Sequence, residues 1–201
     1  MDPMTITFVT GNTGKVQTAQ EHLAPLGVQV RQARLDLDEI QSLDVQAVAV
    51  HKAEQAFRVL GQPLIVEDSG FGIDELGGYP GPMIKHALAA LGAAGIARLA
   101  DLTRTRTCRF TSCLVYVDSH GVTRPFISPG RPCTVASEPA QSRTSGAWSD
   151  LWNVVIPDGC SMPLSALGAE DAERETARWK EESVFRQFGE WLRLGRIVPS
   201  V

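Results

Sequence analysis

Apolar residues recur along this chain in short blocks separated by glycine and proline. Ile6-Thr7-Phe8-Val9 is rich in β-branched and aromatic residues and predicts a strand. Val16, Ala19, Leu23 and Leu26 then recur at helical spacing, so a helix is expected up to about Leu26, with Gly27 as its stop. Val28-Gln29-Val30 opens a second strand. A longer helix is predicted from about Val45 to Leu60, where Val45, Val48, Ala49, Ala53, Ala56, Phe57 and Leu60 trace an apolar stripe. Only Lys52 interrupts that stripe, and its aliphatic stem can lie along apolar surface. Leu64-Ile65-Val66 reads as a short buried strand ending at Glu67-Asp68-Ser69-Gly70.

Beyond a punctuated loop, Gly77-Gly78-Tyr79-Pro80-Gly81-Pro82, a helix is expected over Ile84 to Leu91, with a weaker one reaching about Leu99. Phe110 to Asp118 is the best long strand, and Gly121 suggests a hairpin returning through Thr123 to Ile127. Gly, Pro and Ser crowd the segment from Ser128 to Ser149, leaving only short strand candidates. Val154-Val155-Ile156 is a further short strand. One final helix is predicted from about Glu170 to Leu194, with an irregular apolar face of Ala172, Thr176, Trp179, Val184, Phe188, Trp191 and Leu192. Strand, glycine turn, helix and strand in this order predict an α/β fold with a mixed twisted sheet and flanking helices. No repeat and no long linker divides the chain, so residues 1–201 are expected to form a single domain.

Composition narrows the function classes. With 43% hydrophobic and 21% charged residues, the chain falls in the soluble globular class. Its 19 Lys and Arg against 23 Asp and Glu give a net charge of -4, which offers no general attraction for polymeric nucleic acid or an anionic membrane. No stretch approaches the roughly 20 apolar residues of a membrane span, and a cytoplasmic location is expected. Cys108, Cys113, Cys133 and Cys160 contain no CxxC pair and do not read as a zinc site.

Three segments carry candidate chemistry. In Thr10-Gly11-Asn12-Thr13-Gly14-Lys15, between a strand and a helix, glycines let the backbone approach an oxyanion and Lys15 supplies a point charge. The spacing is too short for a Walker loop, and Val16 stands where such a loop needs Ser or Thr. Glu67 and Asp68 follow a buried strand, while Asp36, Asp38 and Glu39 lie in an acidic loop. Grouped carboxylates suit Mg2+, a hard ion that often joins protein to phosphate. The third segment, Pro80-Gly81-Pro82-Met83-Ile84-Lys85, stiffens a helix entry whose first turn carries Lys85. Arg104, Arg106 and Arg109 read as solvated surface, not as a nucleic-acid patch. Ser69 lies in Asp-Ser-Gly without the Gly-x-Ser-x-Gly elbow of a nucleophile. Trp148 and Trp152 offer either a stacking wall for a base or ordinary core filling.

Together the segments TFVTGNTGK (7–15), LDLDEIQ (35–41), LIVEDSGFGIDELGGYPGPMIKHALAALG (64–92) and FTSCLVYV (110–117) resemble the inosine/xanthosine triphosphate pyrophosphatase family. The resemblance implies two lobes around a central nucleotide cleft, a homodimer, and Mg2+-dependent hydrolysis of a nucleoside triphosphate to monophosphate and pyrophosphate. By the family pattern, Thr10, Gly11, Asn12, Lys15, Ser69 and Lys85 would bind substrate. Glu39, Glu67 and Asp68 would hold the metal, with Asp68, Lys15 and Glu39 catalytic.

The C-terminal third departs from that pattern. Trp152 aligns with a family aromatic, which puts Asn153 where an Asp belongs, although Asp150 is a competing match. Both Trp152 and Asn153 are taken as substrate-binding candidates. The family's late Ser-His-Arg triplet is absent, and no histidine follows His120. That triplet would read the purine edge, so its loss predicts a modified or unusual nucleotide substrate. Arg174, Arg178 or Lys180 would then replace the lost cation, and Trp148, Trp152 or Trp179 would stack on the base. A mono- or diphosphate substrate, or a nucleotide-binding protein without turnover, is the alternative expectation.

Overall fold

A computed structural model describes residues 4–141 and 149–195; Trp148, one of the expected stacking residues, lies outside them. The chain divides into two compact units, one of Met1–Asp68, Ser112–Ser128 and Glu181–Val201, the other of Ser69–Thr111 and Pro129–Lys180.

In the first unit, β1 (Met4–Val9) leads into α1 (Thr13–Leu23), and β2 (Val28–Ala33) pairs parallel with β1. Asn12 caps α1, and Asp44 caps α2 (Val45–Leu60) by accepting from the Gln46 amide. Helix α2 ends at Gly61, which takes the left-handed conformation expected of a C-terminal glycine stop. Next comes β3 (Leu64–Ile73), parallel to β1 through Thr7–Leu64 and Phe8–Ile65. The C-terminal part of β5 (Thr107–Val117) forms an antiparallel hairpin with β6 (Thr123–Ser128), as the Gly121 turn predicts.

Two apolar layers sandwich these strands. Ile6, Phe8 and Ile65 pack with Ala19 and Leu23 of α1 and with Val184, Phe185 and Phe188 of α5 (Val184–Arg193). Val9, Leu64 and Val66 pack instead with Val45, Ala49, Ala53 and Ala56 of α2. Successive strand side chains alternate between faces, so α1 and α5 cover one face of β3 and α2 the other.

In the second unit, β3 continues beside the short β4 (Pro80–Gly81), antiparallel through Phe71–Gly81 and Gly72–Pro80. Helix α3 (Ile84–Ala100) bends at Gly92, whose φ of 65° is non-helical; this is the interruption expected after Leu91. The N-terminal part of β5 pairs antiparallel with β7 (Cys133–Val135), which pairs with β8 (Val155–Pro157). Phe71, Ile73, Ile96, Cys108, Val135 and Val155 form this unit's core, and Trp152 and Trp179 pack against it. Strands of mixed direction with helices against them make the expected α/β fold.

Three elements differ from expectation. Strand β3 does not end at Val66: it runs on to Ile73. The extension depends on two glycines with backbone packed directly over them. A Cβ on Gly70 would lie 2.7 Å from the Gly81 carbonyl carbon, and one on Gly72 would strike the Gly78 carbonyl oxygen. Glu67 and Asp68 therefore sit within a strand, not after one.

The single C-terminal helix is two. Helix α4 (Ala169–Glu181) ends before Ser183, whose hydroxyl accepts from the Phe185 amide at 3.2 Å and starts α5. The irregular apolar face resolves accordingly, since Trp179 serves one core and Val184, Phe188, Trp191 and Leu192 serve the other.

The arginine cluster, finally, is more than solvated surface. Arg106 donates to the carbonyls of Ala97, Val135 and Ala136 and pairs with Asp101. Arg109 makes a bidentate pair with Asp74, at 2.8 and 2.7 Å, while Arg104 pairs with Glu75. Hydrogen bonds from Thr105 and Arg104 hold the Glu75 carboxyl down at about 2.

Candidate functional site

The turn after β1 is built by its own side chains. Thr10 donates its amide to Ala33, and its hydroxyl accepts from the Asn12 amide at 3.1 Å. The Asn12 side-chain oxygen accepts from the amides of Gly14 and Lys15 at 2.9 and 3.2 Å. The expected backbone cradle for an oxyanion is thus largely taken up, because the amides of Asn12, Gly14 and Lys15 already have protein acceptors. Gly11 stays open, with no atom within 4 Å of a Cβ placed there. The cap predicts its own test: Asn12→Ala should cost about 0.5–2 kcal/mol of stability, read as a lower urea midpoint at unchanged slope.

One turn into the helix, Lys15 reaches Glu67 of β3, with its ammonium 2.6 Å from Glu67 Oε2. The Glu67 side chain is 5% exposed, and Lys15 is the cation that compensates it. On the other face of β3, Lys52 of α2 contacts Asp68 at 3.2 Å and Glu39 at 2.6 Å. Asp68 is 13% exposed, whereas Glu39, in the loop between β2 and α2, is 61% exposed. Burial acts to lower the Lys52 pKa, but Asp68 and Glu39 outweigh it and hold the group above the usual lysine value. Lys52 therefore stays charged through neutral pH. The acidic loop is tied to the same helix, for Gln55 donates to the Asp38 carbonyl at 2.8 Å and accepts from the Asp38 amide.

Of the predicted residues, then, the fold brings Lys15 to Glu67, and Glu39 to Asp68 through Lys52. The two groups stand on adjacent residues of β3 and on opposite faces of it. Lys52 was missed as a site residue by the sequence reading. Its signal was visible: it is the one charge within the apolar stripe of α2, at a position facing the sheet.

The remaining candidates belong to the second unit. Ser69 lies half-buried on β3, and Lys85 stands exposed in the first turn of α3. Trp152 sits in a 3-10 turn, Asp150–Asn153, and meets Trp179 edge-on with ring centres 5.9 Å apart. Trp179 meets Phe110 edge-on, also at 5.9 Å, so both indoles fill core. The Asn153 carbonyl accepts from the Ala140 amide at 2.8 Å. Arg178 donates to Glu175 at 3.0 Å, Arg131 donates to the same carboxylate at 3.0 Å, and Arg174 pairs with Asp171.

All the carboxylates near Lys15 and Lys52 offer hard oxygen donors of the kind Mg2+ prefers. Among the described residues, no three His, Cys, Asp or Glu side chains are gathered closely enough to hold an ion alone. Mg2+ commonly uses one or two carboxylates and completes its shell with water and substrate phosphate. Glu39 and Asp68, which share one ammonium, fit that partial shell. Two shallow depressions of about 400 and 290 Å3, beside His51 and beside His22, carry none of the predicted site residues. No described helix is long and apolar enough to cross a membrane.

Comparison with known proteins adds a family. The model of the Ham1 family matches residues 6–145. A dITP/XTP pyrophosphatase of Methanopyrus kandleri is 33% identical over 94% of this chain and 96% of its own length. The solved structure of a nucleoside-triphosphatase / dITP/XTP pyrophosphatase from Mycobacterium abscessus superposes with a TM-score of 0.70 at 19% identity, covering 87% of this chain and 95% of that one. A HAM1 protein from Coxiella burnetii superposes equally, with a TM-score of 0.70 at 16% identity over 94% of this chain and 98% of that one. At those identities the structural likeness establishes the fold.

Proposed function

This chain belongs to the Ham1 family and is a nucleotide pyrophosphohydrolase, and from that premise we propose how its residues act. The reaction is hydrolysis of a nucleoside triphosphate to monophosphate and pyrophosphate. The observation that carries the assignment of residues is the Glu67–Asp68 pair on β3, met by Lys15 from one face and by Lys52 from the other.

The ion pairs describe the resting site. Each buried carboxylate keeps a lysine, and each lysine is held where a polyphosphate can take it over. When a triphosphate arrives, the ammonium groups of Lys15 and Lys52 exchange carboxylate for phosphate oxygen and neutralise charge on the chain. Thr10 and Asn12 hold the turn that aims Lys15. The exchange releases Glu39 and Asp68, which share one face of β3 and would hold Mg2+, an ion that would supply positive charge along the phosphates and at the departing pyrophosphate. Glu67, the third ligand expected from the family pattern, faces the other side of β3 with Lys15. Asp68 orients a water toward the α-phosphorus and accepts its proton as the new oxygen–phosphorus bond forms and the bond to the β-phosphate oxygen breaks. No covalent intermediate on the protein is needed.

The substrate class is a purine nucleoside triphosphate of the inosine and xanthosine type or a modified relative of it. Base choice in this chain is proposed to differ from that of its relatives. There is no histidine after His120, Arg178 is engaged by Glu175, and Trp152 and Trp179 fill core. A buried hydrogen bond left unmade costs roughly 1–3 kcal/mol, so losing a His-Arg reader changes selectivity by about one to two orders of magnitude. A cytoplasmic homodimer belongs to the same proposal and rests on the family resemblance.

The test is a panel of purine, pyrimidine and modified nucleoside mono-, di- and triphosphates with Mg2+, identifying products as well as rates. Pyrophosphate release from triphosphates is expected, with kcat/KM highest for a nucleotide other than inosine triphosphate. A strong preference for inosine triphosphate would defeat the altered base choice. Phosphate in place of pyrophosphate would defeat α–β cleavage.

A further inference from the structure

The acidic loop between β2 and α2 brings Glu39 to the site, and its backbone is fixed one residue earlier. Leu35 and Leu37 pack against the core that α2 shares with β1 and β3. At Asp38 a single side chain then grips the backbone twice. The Asp38 amide donates to Gln55 Oε1 at 3.1 Å, and Gln55 Nε2 donates to the Asp38 carbonyl at 2.8 Å. A primary amide can do this because it holds an acceptor and a donor side by side. The next side chain along, Glu39, meets the Lys52 ammonium at 2.6 Å. Lys52 and Gln55 stand three residues apart on α2 and so share a face of it. The loop lies across that face, tied at Asp38 by Gln55 and at Glu39 by Lys52.

His51 locks the grip from the helix side. The Asp38 backbone cannot exchange its donor and acceptor, so it fixes which way the Gln55 amide points. The second hydrogen on Gln55 Nε2 then goes to His51 Nδ1, at 2.9 Å and one helical turn away. Both hydrogens of the amide nitrogen and its oxygen are thereby engaged.

We propose that Gln55 is a positioning residue for Glu39, holding that carboxylate beside Asp68 while Lys52 is engaged with phosphate. The inference rests on the reading of the site given above, in which Glu39 and Asp68 hold Mg2+. When a polyphosphate takes over the Lys52 ammonium, Glu39 gives up its contact with Lys52. The bonds from Gln55 run to backbone and take no part in that exchange, so the loop stays seated. Seating matters for this ion, since Mg2+ demands near-ideal octahedral geometry and a carboxylate on a loosened loop must be ordered anew at each binding event.

The experiment compares the full chain with Gln55→Met, which keeps the side-chain length and removes both bonds to Asp38. Initial rates at saturating concentration of the fastest nucleoside triphosphate from the panel are read against free Mg2+. The Mg2+ concentration for half-maximal rate should rise about tenfold, the lower end of what losing an outer partner of a metal ligand costs, with kcat restored by excess Mg2+. Amide exchange followed by NMR on the metal-free chain gives a readout independent of turnover. There the Asp38 amide should lose its protection in the variant while Tm stays within a few degrees. Adding Gln55→Met to Glu39→Gln should shift the Mg2+ requirement no further, because Gln55 acts through Glu39. An unchanged Mg2+ requirement in Gln55→Met, a fall in kcat that excess Mg2+ does not restore, or a full second shift in the Glu39→Gln background would each overturn the assignment. Failure of the reading beneath it shows elsewhere, in the unsubstituted chain: no Mg2+-dependent turnover of any nucleotide would overturn that reading and the inference with it.

Discussion

Asp68→Asn is expected to lower kcat by about 10^2- to 10^4-fold at saturating nucleotide and Mg2+, the range that a positioned general base contributes. The substitution keeps the shape of the side chain and removes its charge and its capacity to take a proton from water. Nucleotide affinity should hold within a few-fold, since Lys15 and Lys52 remain to meet the phosphates. Tm should stay within a few degrees, because the lost partner is Lys52, which still has Glu39. Stopped assays with product separation read the rate, and calorimetry reads the affinity. Turnover equal to that of the unsubstituted chain would remove Asp68 from the chemistry, and a loss of affinity matching the loss of rate would reassign it to binding.

Phe188→Ala is expected to destabilise the fold by about 3–5 kcal/mol, the usual cost of emptying a fully buried aromatic site. Phe188 on α5 has no exposed surface. Its ring lies 5.7 Å from Tyr116, 5.5 Å from Phe126 and 6.0 Å from Trp191, so one ring joins α5 to both strands of the β5–β6 hairpin. For a chain of this length that cost corresponds to a fall in Tm of roughly 10 °C, measurable by calorimetry. The surrounding aromatic groups are too large to collapse fully into the space. A fall of less than about 2 °C would mean that α5 contributes little to this core.

Those two residues differ in how they could be found. Phe188 recurs with Val184, Trp191 and Leu192 at helical spacing, so its burial was legible in the sequence. Asp68 was legible as chemistry, being one of two adjacent carboxylates after an apolar run, but its surroundings were not. Lys52 looked like a lysine lying along an apolar face because spacing reports which side of a helix a residue occupies, not which partner waits there. The length of β3 was hidden for a related reason. The strand was expected to end at Glu67-Asp68-Ser69-Gly70, and only the backbone of Gly78 and Gly81 packed over Gly72 and Gly70 explains why it continues.

The chain's local order was written in its sequence: the strands and helices around Thr10–Lys15, the span of α2, the hairpin at Gly121 and the carboxylates at Glu67 and Asp68. These follow from side-chain periodicity and from turn and cap chemistry, which act over a few neighbouring residues. Tertiary structure alone decided that Lys15 meets Glu67 and Lys52 meets Asp68 and Glu39, that the last apolar stripe serves two cores, and that Gln55 grips the backbone of Asp38. Each of those depends on strand register and on which face a helix covers, relations between segments that no local pattern encodes.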